Sequence, residues 1–499
     1  MTPLSLLLLI GSVPASTAFS PVSINRHRQQ LVIGTRSLQA LNSQANGDVA
    51  IEEKFDQLLK AGELKSATDF LQEKAISLNK ERFLQVFNAI EERTKEAEEN
   101  HINKRTAEEG SINLGSLEYP PTSPARMEMS EMYGVLKETG NTLAFGAAAD
   151  EKYPAKGTKN VTPILLEKIT GVTLAALTPK PTNTLLLAGA GLAAIEGCVS
   201  IATGVELNFL IFFTLVLGFL DKLVVNGAVF ESITRILTPE YTKKIVKHEA
   251  GHFLCAYLLG CPVEGCVLST WAALNDARFG GRATTVNAGT SFFDPSLSDE
   301  INGRKPLTRA SIDRYSIIVM GGIAAEALNF GMADGGAGDE MALVRFLSNL
   351  NPRGGGATTW NTDAIKNQAR WGALQAVLLL GEYKHCYDAL VDALERGGDL
   401  GECVYAIETA AKVNGLPTVA ERPLGYIVDQ GLYGEWMTDI PASSESTEAS
   451  RAEKNNASET TARRSIESPT IEEEVVSLEE LKKRMQEKLK EIDSQLDGM

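Results

Sequence analysis

"KKIVKHEAGHFLCAYLLG", residues 243–260, sets His248, Glu249 and His252 at the head of a long apolar run, in a chain that has five histidines in all. Thr238-Pro239-Glu240 supplies a capping residue, a proline suited to the first helical position and an early acid, while Gly260 supplies a stop. The stretch is therefore predicted to be a bounded helix. Histidines four apart project from one face a turn apart, the spacing at which two imidazole nitrogens reach one tetrahedral zinc ion. Glu249 lies beside that face, where a carboxylate can take a proton from zinc-activated water without ligating the metal. The alternative is a core helix with two satisfied histidines, which would desolvate two imidazoles and a carboxylate on adjacent turns. Gly251, lacking a side chain, lets a second element come close beside the metal.

A catalytic zinc site needs a third protein ligand and keeps its fourth position for water. The pattern HExxHxxGxxH fails, because Cys255 and Leu258 stand where Gly and His would be. No Glu lies between Glu264 and Glu300, where a thermolysin-like ligand would fall, so the third ligand must come from farther along.

Residues 315–345 read "YSIIVMGGIAAEALNFGMADGGAGDEMALVR". Ile312, Tyr315, Val319 and Ile323 form a helical stripe, and the pair Gly321-Gly322 permits close packing against the histidine helix. Gly331, Gly335, Gly336 and Gly338 then make a loop that delivers Asp339 to a helix start. On the residues alone Asp339 is either the third ligand or a helix N-cap, with Asp334 and Glu340 as the other candidates. Glu326 is either a group that orients a ligand histidine or a packing acid.

Together with "HEAGH", this stretch resembles the peptidase domain of FtsH, a membrane-bound AAA zinc protease (peptidase family M41). The resemblance spans residues 238–435 and implies a mainly α metallopeptidase domain with a small β element. It implies Zn2+ held by His248, His252 and Asp339, with Glu249 as the catalytic base. Ile323 and Ala327 depart from the family's Arg and Glu. The chain carries no GxxxxGK[ST], so it has no ATP site of this kind, and cleavage of unfolded or partner-delivered protein substrates without ATP is expected. A homo-oligomer, or association with FtsH-type AAA proteases, is the partnership this implies. Two other readings stand beside it. "HEAGHFLCAYLLGCPVEG" also looks like the HExGH segment of site-2-type intramembrane metalloproteases, and a non-proteolytic scaffold partner of FtsH proteases would keep the same motifs.

The rest of the chain supplies an address and an anchor. Residues 1–18 read as a signal peptide and 19–47, with Arg26, Arg28 and Arg36 and no acid, as a transit peptide. The junction "ASTAFSP" resembles the bipartite presequences of algae with secondary plastids and implies a plastid membrane, thylakoid or inner envelope; an ordinary secreted protein is the alternative. Residues 49–108 show helical periodicity, and 109–180 reads as a connector. Residues 184–229 hold two apolar stretches, 184–205 and 207–220. One membrane span is expected, the first stretch having the length and the second reaching it only through Asp221 and Lys222; a pair of spans, or a buried hairpin, is the alternative. "ARFGGRATTVNAG", 277–289, should contain an edge strand able to hold an extended peptide, followed by a polar insertion, "SFFDPSLSDEINGRKP". Residues 440–474 read as a disordered linker and 475–496 as a helix. A net charge of -16 without a Lys/Arg-rich block excludes nucleic acid as a partner. Six dispersed cysteines without a CxxC pair fit buried thiols.

Overall fold

Apolar residues recur at helical spacing through most of the chain, and it folds accordingly. The structure, a computed structural model, describes residues 50–109, 123–149, 160–180, 184–279, 288–302, 304–305, 307–350 and 360–417. The two targeting segments, the linker 440–474 and the terminal helix 475–496 lie outside the described residues, as does the end of the 238–435 region.

In chain order the helices are α1 (50–60), α2 (Leu64–Lys74), α3 (Lys80–Glu109), α4 (Pro124–Glu138), α5 (Pro163–Thr170), α6 (Thr184–Thr203), α7 (Leu207–Val225), α8 (Ala228–Leu237) and α9 (Pro239–Leu258). Strand β1 (Val263–Val267), α10 (Thr270–Leu274), a 3-10 turn (Ala277–Phe279), β2 (Gly289–Phe292) and α11 (Pro295–Ile301) follow. Then come α12 (Arg309–Phe330), α13 (Ala337–Asn349), α14 (Thr362–Glu382), α15 (Lys384–Glu395) and α16 (Leu400–Asn414). The architecture is mainly helical, as expected.

Helix α12 is the centre, with α9 on one side and α14 on the other. Both crossings are made by glycine. A Cβ on Gly321 would stand 2.8 Å from the carbonyl oxygen of Gly251 and 3.2 Å from Cys255 Sγ. On the other face a Cβ on Gly372 would stand 2.8 Å from the carbonyl oxygen of Ser316. Backbones at these distances leave no room for a side chain, so these glycines fix how deeply the helices interlock.

The segments read as a separate helical region and a connector belong to the same core. Phe55, Phe83, Phe87 and Ile90 are buried in it, as are Met129, Met132, Tyr133 and Leu136 of α4. A run of rings links them to the motif helix: Phe87 to Tyr133 at 5.3 Å between centroids, Tyr133 to Phe145 at 4.8 Å, and Phe145 to Tyr257 at 5.3 Å. Glu408 of α16, buried, accepts from the Leu143 and Ala144 amides at 2.6 and 3.0 Å and from the Tyr257 hydroxyl at 2.6 Å. A turn of the expected connector is thus bolted to the end of α9, the helix that carries His248 and His252.

Two other expectations need correction, and two more can be followed into the structure. Thr238 precedes α9, but its side chain makes no capping bond, because Thr238 also ends α8, donating its amide to the Thr234 carbonyl at 2.8 Å. Of the stretch 277–289, in which an edge strand is expected, residues 280–287 lie outside the described residues; Asp276 takes the Arg278 amide and guanidinium at its start, and β2 begins at its last residue, pairing antiparallel with β1 from Val267↔Gly289 to Val263↔Phe292. The stretch read as a polar insertion completes β2 and then forms α11, whose Asp294 cap accepts from the Ser296 and Leu297 amides. The two apolar stretches form α6, 20 residues, and α7, which reaches its 19 residues by including Asp221 and Lys222, as expected; Leu207–Val225 is long and apolar enough to cross a membrane.

Replacing Gly321 by Ala should overpack the crossing and destabilise the chain by about 1–3 kcal/mol. Gly381 of α14 has nothing within 4 Å of the position its Cβ would take, so Gly381→Ala should leave stability unchanged or raise it by about 0.5–1 kcal/mol. Urea unfolding of the two variants checks the pair.

Candidate metal centre

Helix α9 presents His248 and His252 to α12 one turn apart. Gly322 faces them: a Cβ there would lie 2.5 Å from His248 Cε1 and 2.5 Å from His252 Nε2, so only glycine leaves both imidazoles their space. Past α12 the chain turns at Gly331 and again at Gly336, whose φ of 85° caps α13 in the left-handed region. Asp339 then falls in the first turn of α13, where the helix dipole favours a negative charge. Gly336 is the capping position and Asp339 lies three residues inside, so the reading of Asp339 as an N-cap fails.

Three ligand atoms converge. His248 Nε2 lies 2.9 Å from Asp339 Oδ2, His252 Nε2 lies 3.3 Å from the same oxygen, and the two Nε2 atoms are 3.0 Å apart. A tetrahedral ion with bonds near 2.0 Å spaces its ligand atoms roughly 3.3 Å apart, so the triangle is close to that of three zinc donors. The other candidates are elsewhere: Asp334 is ion-paired with Lys244, and Glu340 is exposed outside the cluster.

The hydrogen bonds behind the ligands decide which nitrogens are free. His252 Nδ1 lies 2.7 Å from the Ile318 carbonyl oxygen, which only accepts, so Nδ1 carries the proton and Nε2 the lone pair. His248 Nδ1 lies 2.7 Å from Glu326 Oε1. Glu326 Oε2 accepts the Asp334 and Gly335 amides at 2.7 and 2.9 Å. Burial works against charge on Glu326, but His248 and these two amides hold its pKa below the ordinary carboxylate value. Glu326 is therefore an orienting group, and it does a second thing that the sequence reading missed: it ties a histidine to the loop that carries Asp339.

Two lone pairs and a carboxylate oxygen within 3.3 Å of one another need positive charge between them. Burial opposes charge on either imidazole, yet Asp339, joined at His248 by Glu326, holds both pKa values above the ordinary histidine range. Burial likewise opposes charge on Asp339, but the two histidines hold its pKa far below the usual carboxylate range. Such a set can hold a cation, either protons on the imidazoles or a metal ion in their place. The His252 and His248 side chains are 10% and 12% exposed and that of Asp339 29%, so the aspartate is the more solvent-exposed corner of the cluster.

Glu249 is buried next to the cluster without belonging to it. Thr290 of β2 donates its hydroxyl to Glu249 Oε2 at 3.0 Å. Burial raises the Glu249 pKa, and the neighbouring histidines only partly offset this. A carboxyl group whose pKa is raised toward neutrality is suited to taking and returning a proton. Thr290 carries no signal of its own in the sequence; it lies one residue past the stretch in which the edge strand is expected.

No protein-family model, no curated protein and no solved structure matches this chain.

In Zn2+ titrations of the full chain, Asp339→Ala should bind metal more weakly than any other variant at this site, and Glu326→Gln about 10- to 100-fold more weakly than the native chain. Glu340→Ala should bind as the native chain does. Equal losses in Asp339→Ala and Glu340→Ala would remove Asp339 from the ligand set.

Proposed function

We propose that this chain is a membrane-anchored, zinc-dependent metalloendopeptidase of FtsH-like type. The observation that carries the proposal is the convergence of His248 Nε2, His252 Nε2 and Asp339 Oδ2 within 3.3 Å, with Glu249 buried beside them. The donor set, two neutral imidazoles and a carboxylate, suits Zn2+. Zn2+ held there would polarise a peptide carbonyl and acidify water.

The chain's own residues supply the rest. Glu249 takes a proton at its carboxylate and can return it to the leaving amine, and Thr290 holds its Oε2 by a hydrogen bond at 3.0 Å. Strand β2 has one ladder partner, β1, among the described residues, so its other edge offers backbone groups to an extended peptide beside Glu249. A two-stranded edge of this kind accepts unfolded chain, and no GxxxxGK[ST] is present to drive unfolding. The enzyme is therefore proposed to act without ATP on unfolded or partner-delivered substrates, as a homo-oligomer or alongside FtsH-type AAA proteases. A plastid membrane, thylakoid or inner envelope, is the proposed location, resting on residues 1–47.

The site-2 reading is less well supported, because the ligands come from α9 and α13 and none from the apolar hairpin of α6 and α7. A buried base kept next to the ligands favours an enzyme over the scaffold reading.

Casein cleavage by the detergent-solubilised full chain should proceed without ATP. It should fall at least about 100-fold in Glu249→Gln while zinc content is retained. Cleavage persisting in Glu249→Gln would overturn the role of Glu249, and zinc binding with no cleavage by the native chain would favour the scaffold.

A further inference from the structure

Helix α8 is inside out. On the surface of a soluble protein an amphipathic helix turns its apolar stripe inward and its polar face to water. Here the polar stripe faces the protein. Glu231 is buried, accepts the Thr270 amide at 2.8 Å and pairs with Arg235 at 2.5 Å; Arg235 also reaches the Leu268 carbonyl, and Ser232 accepts from Trp271 Nε1 at 3.0 Å. The opposite stripe, Val229, Phe230, Ile233, Ile236 and Leu237, is 47% to 80% exposed.

This stripe continues a larger apolar surface. No residue of α7 is buried, and α7 joins α8 through a rigid corner: Asn226 and Gly227 are left-handed, and Asp221 accepts the Val229 and Phe230 amides at 3.1 and 3.0 Å. The acid that interrupts the apolar stretch thus caps the next helix. At 1.5 Å per residue the 19 residues of α7 reach roughly 28 Å, close to the thickness of a hydrocarbon core. Glu196 of α6 is buried among otherwise exposed neighbours, which keeps its carboxyl away from lipid.

The flanks of the hairpin fix its topology. Before α6, Ala176 accepts the Ala333 amide at 2.8 Å and Lys180 donates to the Ala333 carbonyl at 3.4 Å, beside the loop that carries Asp339. Farther back, the Tyr133 hydroxyl donates to the Val263 carbonyl at 2.9 Å. After α7, Glu231 holds the Thr270 amide. Both flanks are built into one core, and a single crossing would place them on opposite sides of a bilayer.

We propose that the chain enters and leaves the bilayer on the same face through the α6–α7 hairpin, and that α8 lies along that face with its apolar stripe in the lipid. The occupant of the stripe is lipid, because it follows directly on α7 across the Asn226–Gly227 corner and because its polar side is already spent on the protein. This does not depend on the peptidase reading. If that reading also holds, the metal site, whose first ligand lies nine residues into α9 or roughly 14 Å along its axis, sits close above the membrane, and the substrate class is protein segments emerging from the bilayer.

The test inserts the full chain, with Cys198→Ser, into preformed phosphatidylcholine vesicles. A fluorophore is placed through Ile233→Cys, Leu237→Cys or, as a control on the exposed face of α15, Lys384→Cys. Lipids with a nitroxide near the headgroup should quench the labels at 233 and 237 and leave 384 bright, while iodide in the water should do the reverse. In the same vesicles a membrane-impermeant maleimide should react fully with both Lys168→Cys and Lys384→Cys before detergent is added. Iodide quenching at 233 and 237 equal to that at 384 would overturn the proposal. So would shielding from both quenchers, which would mean that a protein, such as a second copy, covers the stripe. Protection of either 168 or 384 until detergent is added would overturn the shared face.

Discussion

The contact on which the rest depends is the crossing of α9 and α12 at Gly251 and Gly321. With a Cβ position on Gly321 only 2.8 Å from the Gly251 carbonyl oxygen, the two backbones are nearly in contact. That closeness brings the Ile318 carbonyl within 2.7 Å of His252 Nδ1 and Glu326 within 2.7 Å of His248 Nδ1, so one helix supplies both groups that set the histidine tautomers. A side chain at the crossing would separate the helices by an ångström or more, and both hydrogen bonds would be lost together. Gly372 against Ser316 fixes the far side of α12, so the helix cannot yield by sliding away.

Electrostatics then complete what packing begins. Glu326 joins His248 to the Asp334 and Gly335 amides, which sets where the chain enters α13 and hence where Asp339 sits. The ligand triangle is thus held from behind at every corner: by a carbonyl, by a carboxylate and by a helix start. Glu249 shares α9 with the two histidines and is held in addition by β2 through Thr290, so the candidate base has a support that the candidate ligands do not share.

Legibility followed how local each signal was. The HExxH pair and the glycine-rich stretch from 321 to 338 are short, and the helices they occupy emerged where expected. Asp339 was reached through a resemblance, because nothing in its own neighbourhood distinguishes it from Asp334; what separates them is Lys244, which neutralises Asp334 from a distant helix. The dual task of Glu326 exists only in three dimensions, and so does the role of Glu408, whose partners lie 151 to 265 residues away. Helices α4 and α11 were missed for another reason. Each opens with a capping residue followed by proline, Ser123-Pro124 and Asp294-Pro295, and the prolines were read as marks of a loop rather than as first helical positions. The orientation of α8 was hidden because periodicity reports that a helix has an apolar face, not which way that face turns.

The most direct test of the central claim is the metal itself: elemental analysis with zinc X-ray absorption on the full chain purified without added chelator. The expected result is one zinc per chain with nitrogen and oxygen donors only, two of them imidazole. Absence of stoichiometric metal, or sulfur in the coordination sphere, would contradict the assembly of His248, His252 and Asp339 as its ligands.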